Sequence, residues 1–142
     1  MRPKLVITQL QVDAMIKLLA SQIILSGSRL TNVVGIAHGG LHISRLLAAR
    51  LGLPHGSVHI SHYDGQIQRA IPIVEGYLPQ STGNLIVDDL IDDGQTMRTF
   101  AKYFGFKGNE TAVLYWKEGS FKPTYYIKEK PDKWIVFPWE TE

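Results

Sequence analysis

Asn84-Leu85-Ile86-Val87-Asp88-Asp89-Leu90-Ile91-Asp92-Asp93-Gly94-Gln95-Thr96-Met97 drives an apolar run straight into an acidic stretch, then a glycine and a threonine. The apolar run at 85–87 reads as a buried strand of a parallel sheet. Open α/β sheets bind ligands in the loops at the carboxyl ends of such strands. Gly94 allows a tight turn, and a helix is expected after it with Met97, Phe100, Ala101 and Phe104 on its inner side. Free N–H groups at that helix start, with the Thr96 hydroxyl, make a phosphate cradle. Carboxylates beside a phosphate repel it unless a cation or sugar hydroxyls lie between. A ligand with hydroxyls, a phosphate and a divalent metal resolves the conflict. Asp88 and Asp89 then face a ribose diol or a Mg²⁺ shell, Gly94, Gln95 and Thr96 face a 5′-phosphate, and Asp92 faces a reacting base. The plainer reading is an acid-rich turn that only caps the next helix. An EF-hand is excluded by spacing, since its third position from Asp89 is Ile91 and its twelfth is Phe100. A P-loop is excluded because no Gly-Lys-Ser/Thr occurs.

The chain has 142 residues, 44% hydrophobic and 20% charged, which suits one globular domain over residues 1–142. A net charge of +2 does not argue for nucleic acid but leaves room for a basic pocket. With no cysteine, disulfides and thiolate metal sites are ruled out, in keeping with a reducing compartment. No segment approaches the ~20 apolar residues of a membrane span, and the N-terminal apolar run is too short for a signal peptide. The expectation is a cytoplasmic protein.

Thr8-Gln9-Leu10-Gln11 has the form of a capping box, and Val12, Met15, Ile16, Leu19 and Ile23 follow at helical spacing, with Gly27 as the stop. Residues 32–37 read as a buried strand. Residues 41–51 read as a helix packing Ile43, Leu46, Leu47 and Leu51 inward, ended by Gly52 and Pro54. Residues 57–62 are the next strand, 63–69 a mobile loop, 71–78 a strand interrupted by Pro72, and 80–83 a turn. After the acidic motif come a helix ending near Gly105 or Gly108 and a strand at 111–116. Short extended pieces are expected at 121–127 and 134–137, parted by a charged turn at 128–133. This order suggests a mainly parallel α/β sheet with helices on both faces.

A second glycine loop, Gly35-Ile36-Ala37-His38-Gly39-Gly40, also follows a strand and opens a helix. Its glycines let backbone N–H groups approach an anion, and it lacks the G-x-G-x-x-G spacing of dinucleotide binders. Two such loops at one sheet edge can hold the two ends of a diphosphorylated sugar.

The acidic stretch closely resembles the signature of type I phosphoribosyltransferases: hydrophobics, two acids, two hydrophobics, Asp, a hydroxyl residue, Gly, any residue, Thr. Asp93 is the departure, standing where the family has Thr or Ser. The resemblance is closest to the xanthine-guanine type. There a loop like His38-Gly39-Gly40 begins with arginine and binds pyrophosphate. Residues 61–69, with Arg69 as a diphosphate contact, resemble the flexible catalytic loop. The ending Trp134-Ile135-Val136-Phe137-Pro138-Trp139 resembles the family's base-binding hood. The resemblance implies that Lys117 donates to the purine exocyclic oxygen, that Trp134 stacks on the base, and that Ile135 binds it through its backbone. Trp139 is read as a core or interface aromatic.

The function so implied is a Mg²⁺-dependent purine phosphoribosyltransferase. It converts a 6-oxopurine and 5-phosphoribosyl-1-diphosphate (PRPP) into a nucleoside 5′-monophosphate and pyrophosphate, in purine salvage. Asp92 takes a base proton, Asp88 and Asp89 bind ribose and metal, and Asp93 to Thr96 form the phosphate loop. The resemblance also implies a homodimer or homotetramer, and the partners are small molecules rather than nucleic acid or membrane. A non-catalytic sensor of PRPP or nucleotide on the same scaffold is the rival reading. A Mg²⁺-dependent phosphatase is a third, which leaves the aromatic tail unexplained.

Overall fold

The computed structural model describes residues 2–140. In chain order the elements are β1 (Lys4–Val6), α1 (Gln9–Ser26), β2 (Asn32–Ala37), α2 (Gly39–Leu51), β3 (His55–Asp64), β4 (Ile67–Glu75), β5 (Asn84–Val87), β6 (Leu90–Ile91), α3 (Gln95–Tyr103), β7 (Glu110–Ala112), β8 (Tyr115–Trp116), β9 (Lys128–Glu129) and β10 (Trp134–Val136). The central sheet has the order β4-β3-β2-β5-β7. Only β4 runs antiparallel within it. The mainly parallel α/β sheet expected from the sequence is therefore the observed fold.

Period-two alternation in β2 and β5 sends successive apolar residues to opposite faces. Val33, Leu85 and Val87 join α1 and α2 in one core, while Val34, Ile36 and Ile86 join Met97 and Phe100 of α3 in the other. α1 starts on the expected capping box, with the Gln11 N–H donating to Thr8 Oγ1 and the Thr8 N–H to Gln11 Oε1, and stops at the left-handed Gly27. Both helices of the first core lie ahead of the acidic motif in sequence. The helix that follows the motif is thereby free to dock on the opposite face.

Several expectations need correcting. Leu46 is exposed rather than packed inward, because α2 presents Ile43 and Leu47 to the sheet and turns Leu46 away. Ala101 is likewise exposed, and α3 stops at Tyr103, before either glycine. Residues 63–69 are no mobile loop. They close a hairpin in which β3 runs on to Asp64 and β4 starts at Ile67. Pro72 does not interrupt β4, because this is an edge strand with no neighbour to receive an N–H on its outer side. The hairpin carries a bulge: on β4 residues 69–72 stand opposite His62 alone, between the Ser61–Ile73 and Tyr63–Gln68 pairs.

The strand expected at 111–116 breaks at Val113 and Leu114. β5 and β7 end at the same level, and their chains pass into a small parallel sheet of order β6-β8-β9. Segment 121–127 contributes only a bridge at Tyr125, and Lys128–Glu129 is a strand rather than part of a charged turn. β10 pairs in parallel with β1, which the sequence reading did not recognise. Among the described residues no helix is long and apolar enough to cross a membrane.

Gly35, inside β2, sets how closely α2 lies on the sheet. A Cβ there would fall on Ser44 Oγ and lie 2.9 Å from Ser44 Cβ. Ser44 is fully buried and bonded to His55 Nε2 at 2.6 Å, so it has no room to retreat. Overpacking costs about 1–3 kcal/mol, more than the roughly 0.5–1 kcal/mol that alanine contributes by stiffening the unfolded chain. Gly35→Ala should lower the melting temperature by several degrees. A thermal melt with no decrease would mean that α2 does not sit so close.

Candidate functional site

The acidic residues lie where the chain leaves one sheet for the other. The Asp88 N–H donates to Ala112 O at 3.1 Å, and the Leu114 N–H to Asp89 O at 3.0 Å, so both backbones are pinned. Their side chains take only local donors. Asp88 Oδ1 accepts from the Asp89 N–H at 2.9 Å, and Asp89 Oδ1 from the Leu90 N–H at 2.8 Å. Burial pushes the Asp88 carboxyl well above the usual carboxylate range, and the Asp89 charge beside it adds to this. Asp89 is raised as well, by burial, against the opposing effect of the hydrogen bonds it accepts and of nearby His42. Burial and Asp89 together raise Glu140. Crowded carboxylates of this kind are relieved by a cation or by hydroxyl donors.

The glycine loop sits directly against these acids. A Cβ on Gly39 would fall on the Asp89 carboxylate, and one on Gly40 would lie 2.5 Å from Val87 O. Only glycine permits this approach, so the loop and the acidic tip form a single wall. His38 stands at the start of α2 but caps nothing with its side chain. It is exposed, and its ring lies 4.9 Å from that of His59, whose Nδ1 is 3.3 Å from Glu75 Oε1. His42, which the sequence reading passed over as one more helical residue, faces Asp89 and stacks on Trp139 at 4.6 Å. Trp139 is partly buried and lies parallel to Phe137 at 4.8 Å, in keeping with the core role expected of it.

A cleft of about 180 Å³ is lined by the stretch from Asp88 to Met97. Gly94, at φ 80°, starts α3, and the first intrahelical donor is the Arg98 N–H on Gly94 O at 2.9 Å. The amides of Gln95, Thr96 and Met97 therefore precede the helical ladder. Asp93 takes one of them, its Oδ1 accepting from the Gln95 N–H at 2.9 Å. The carboxylate at this position thus acts as an exposed local cap rather than a donor. The Thr96 and Met97 amides and the Thr96 hydroxyl remain for a ligand.

Asp92 occupies the far end of the cleft. Its Oδ1 is buried and accepts no hydrogen bond, with Lys117 Nζ at 3.7 Å and Lys130 Nζ at 3.9 Å. The small sheet fixes both lysines. The Lys117 N–H donates to Ile91 O at 2.9 Å, and the Lys130 N–H to Trp116 O at 2.8 Å. The Lys130 side chain is only 5% exposed, and its ammonium also donates to Lys133 O at 3.1 Å. Sequence reasoning missed Lys130 because Lys128-Glu129-Lys130-Pro131-Asp132-Lys133 has the composition of a solvated turn. The one available signal was the proline that follows it. Lys130 ties Asp92 to the residue preceding Trp134. The Trp134 side chain is 54% exposed on β10, while Ile135 is buried beneath it. Arg69 lies elsewhere, on the hairpin, with Nε donating to Tyr63 O at 3.3 Å; among the described residues no bond joins it to His38.

Residues 8–142 match the family model described as "Phosphoribosyl transferase domain". Xanthine-guanine phosphoribosyltransferase of Vibrio atlanticus is 32% identical over 108 residues, 75% of this chain and 70% of that protein. The enzyme of the same name from Chromohalobacter salexigens is 32% identical over 110 residues, 76% and 67% of the two chains. The crystal structure of a purine phosphoribosyltransferase from Pyrococcus horikoshii superposes with a TM-score of 0.79 at 30% identity. It covers 98% of this chain and 95% of that one.

Asp88→Asn keeps an acceptor for the Asp89 N–H while removing one of two crowded charges. A carboxyl raised in the folded state costs nothing at a pH where it is protonated both folded and unfolded. It opposes folding increasingly as pH rises above the ordinary carboxylate value of about 4. The ligand-free Asn variant should therefore melt about 2–4 °C above the parent at pH 7, the scale of a 1 kcal/mol change, and level with it near pH 4. A lower melting temperature at pH 7 would show that the charge is already compensated.

Proposed function

The chain belongs to the phosphoribosyltransferase family, and from that premise we propose that it transfers the 5-phosphoribosyl group of PRPP to a 6-oxopurine in purine salvage. The observation that carries this reading is Asp92 Oδ1, a buried acceptor held between two ammonium groups and bonded to neither. A sensor that only binds nucleotide has no need of an ion-paired carboxylate that keeps an oxygen free of hydrogen bonds beside the cleft. A proton acceptor does, and leaving one unbonded carries a cost in stability.

In this proposal the base nitrogen attacks the sugar C1. The C1–O bond to the diphosphate breaks, diphosphate departs with the electron pair, and the purine N7 proton passes to Asp92. Thr96, Gln95 and Gly94 hold the 5′-phosphate at the start of α3. Asp93, its carboxylate committed to the Gln95 N–H, shapes that loop rather than donating to the phosphate. Asp88 and Asp89 orient the ribose hydroxyls. Their hard oxygen donors also fit Mg²⁺, which binds through one or two carboxylates together with substrate phosphates and water. Among the described residues no group of three potential metal ligands is gathered. The ion, when bound, supplies neutralisation of diphosphate charge. His38, Gly39 and Gly40 receive the diphosphate through their backbone, with Arg69 of the hairpin covering it. Lys117 donates to the exocyclic oxygen, Trp134 stacks on the base, and Ile135 binds through its main chain. Lys130 holds Asp92 and the tail in register. A cytoplasmic homodimer or homotetramer belongs to the same proposal.

Incubation with PRPP, Mg²⁺ and guanine, xanthine or hypoxanthine should yield the nucleoside monophosphate from at least one base. Binding without turnover would point to the sensor, and release of free phosphate to a phosphatase. Asp92→Asn should lower kcat by about 10²–10⁴-fold, the usual contribution of a positioned proton acceptor, with the KM for PRPP little changed. Equal losses in both would remove Asp92 from proton transfer.

The exposed Trp134 ring is expected to contribute about 1–3 kcal/mol by stacking. Trp134→Ala should raise the KM for the base about tenfold or more and spare that for PRPP. An unchanged base KM would place the base elsewhere.

A further inference from the structure

We propose that the phosphate cradle opens outward into a second anion site. This site takes the β- and γ-phosphates of a nucleoside 5′-triphosphate whose base, ribose and α-phosphate occupy the product site. The proposal rests on the transferase reading of the main cleft. It centres on Arg98 and Lys102, to which the proposed reaction gives no role, and borders Arg69, which that reaction assigns to the diphosphate.

The site is a recess of about 390 Å³ between the β3–β4 hairpin and the outer face of α3. The β4 bulge creates it, because the extra residues opposite His62 swing the strand and carry Arg69 toward the helix. Arg98 and Lys102, one helical turn apart on α3, complete the wall. Its lining includes Arg69, Arg98, Lys102 and His62, and no carboxylate. The whole chain has a formal charge of only +2, yet three cationic side chains gather here with no carboxylate among them. So uneven a distribution in a concave surface is an anion's footprint.

The recess is continuous with the main cleft. A groove of about 410 Å³ shares His62 and Gln95 with the recess, and Asp92, Asp93, Gln95 and Thr96 with the cleft. Gln95, at the first turn of α3, borders all three. An anion seated on the Thr96 and Met97 amides therefore has open space beside it on the side of Arg98. Asp93 lies at the junction, but its carboxylate is engaged by the Gln95 N–H, and the Arg98 guanidinium sits on its carbonyl at 2.7 Å. The proposed reaction uses Arg69 on the diphosphate but gives Arg98 and Lys102 no role. PRPP and the nucleotide product each carry a single phosphate on the 5′ oxygen, and nothing in either extends past the cradle. Lys102 in particular makes no ion pair or hydrogen bond among the described residues. The occupant that fits is a ligand with the product's form and more phosphate on its 5′ end. Bound so, it would exclude PRPP and hold the enzyme back when the triphosphate pool is full.

Calorimetric titration of the intact protein with guanosine, xanthosine and inosine 5′-monophosphates and 5′-triphosphates tests this. Low ionic strength and metal-free buffer prevent chelation from obscuring the comparison. The triphosphate of the accepted base should bind about tenfold more tightly than its monophosphate, and the margin should shrink as salt is added. Lys102→Glu should erase most of the margin and Lys102→Gln part of it. Monophosphate affinity, kcat and melting temperature should stay close to those of the parent. Equal affinity for the two nucleotides in the parent, or a margin untouched by Lys102→Glu, would overturn the second site. If the monophosphates themselves fail to bind, the nucleotide reading of the main cleft falls first, and this site with it.

Discussion

No side chain can pass between Gly40 and the carbonyl of Val87. This close approach of backbone to backbone governs the rest of the site. β2 and β5 are parallel neighbours in register, Gly35 opposite Val87, so their tips end side by side. A Cβ on either loop glycine would push the tips apart, and Asp89 would lose its place against Gly39. The glycine loop and the acidic tip therefore form one rigid wall rather than two independent loops. Short loops on paired strands leave little to reorganise when ligand arrives.

That wall gathers carboxyl groups at one point. The protein answers with cations placed at the periphery. Lys117 and Lys130 flank Asp92, and Arg98 sits on the Asp93 carbonyl. The buried Lys130 has its ammonium fixed by two main-chain oxygens as well, and the Arg98 guanidinium by one. The acids remain partly uncompensated, and this keeps a metal and sugar hydroxyls in demand. Stability is given up at the acidic tip so that binding can recover it.

Much of this was legible in the sequence, for identifiable reasons. Strand-then-helix units announce themselves through apolar runs and glycine stops, and the Thr8–Gln11 capping box and Gly27 behaved as their chemistry dictates. The acidic stretch disclosed the cleft because four carboxyl groups at a strand end have few other uses. The misread elements share a cause: they depend on partners distant in the chain. Residues 63–69 look like a loop by composition, yet Tyr63 pairs with Gln68 and Asp64 with Ile67 across a tight turn. The break at Val113 and Leu114 is invisible in an unbroken apolar run, because it is imposed by Asp89 and Tyr125, whose backbones take over the hydrogen bonds there. Leu46 sits at helical spacing but on a flank that the sheet does not reach. Lys130 looks solvated until the tail folds over it.

The base-facing wall has a weakness of a different sort. Among the described residues β10, which carries Trp134, finds its only strand partner in β1, and the Trp134 N–H donates to Pro3 O at 2.9 Å. This pairing joins residues some 130 positions apart through just three register pairs. Partial opening that peels β1 away would release the tryptophan while the central sheet and its sugar-phosphate wall stay intact. On the proposed reading, selectivity for the base and grip on the sugar are thus separately meltable. A fusion tag or trimming at the first few residues would then act as a mutation of nucleobase choice, although it lies at the opposite end of the polypeptide.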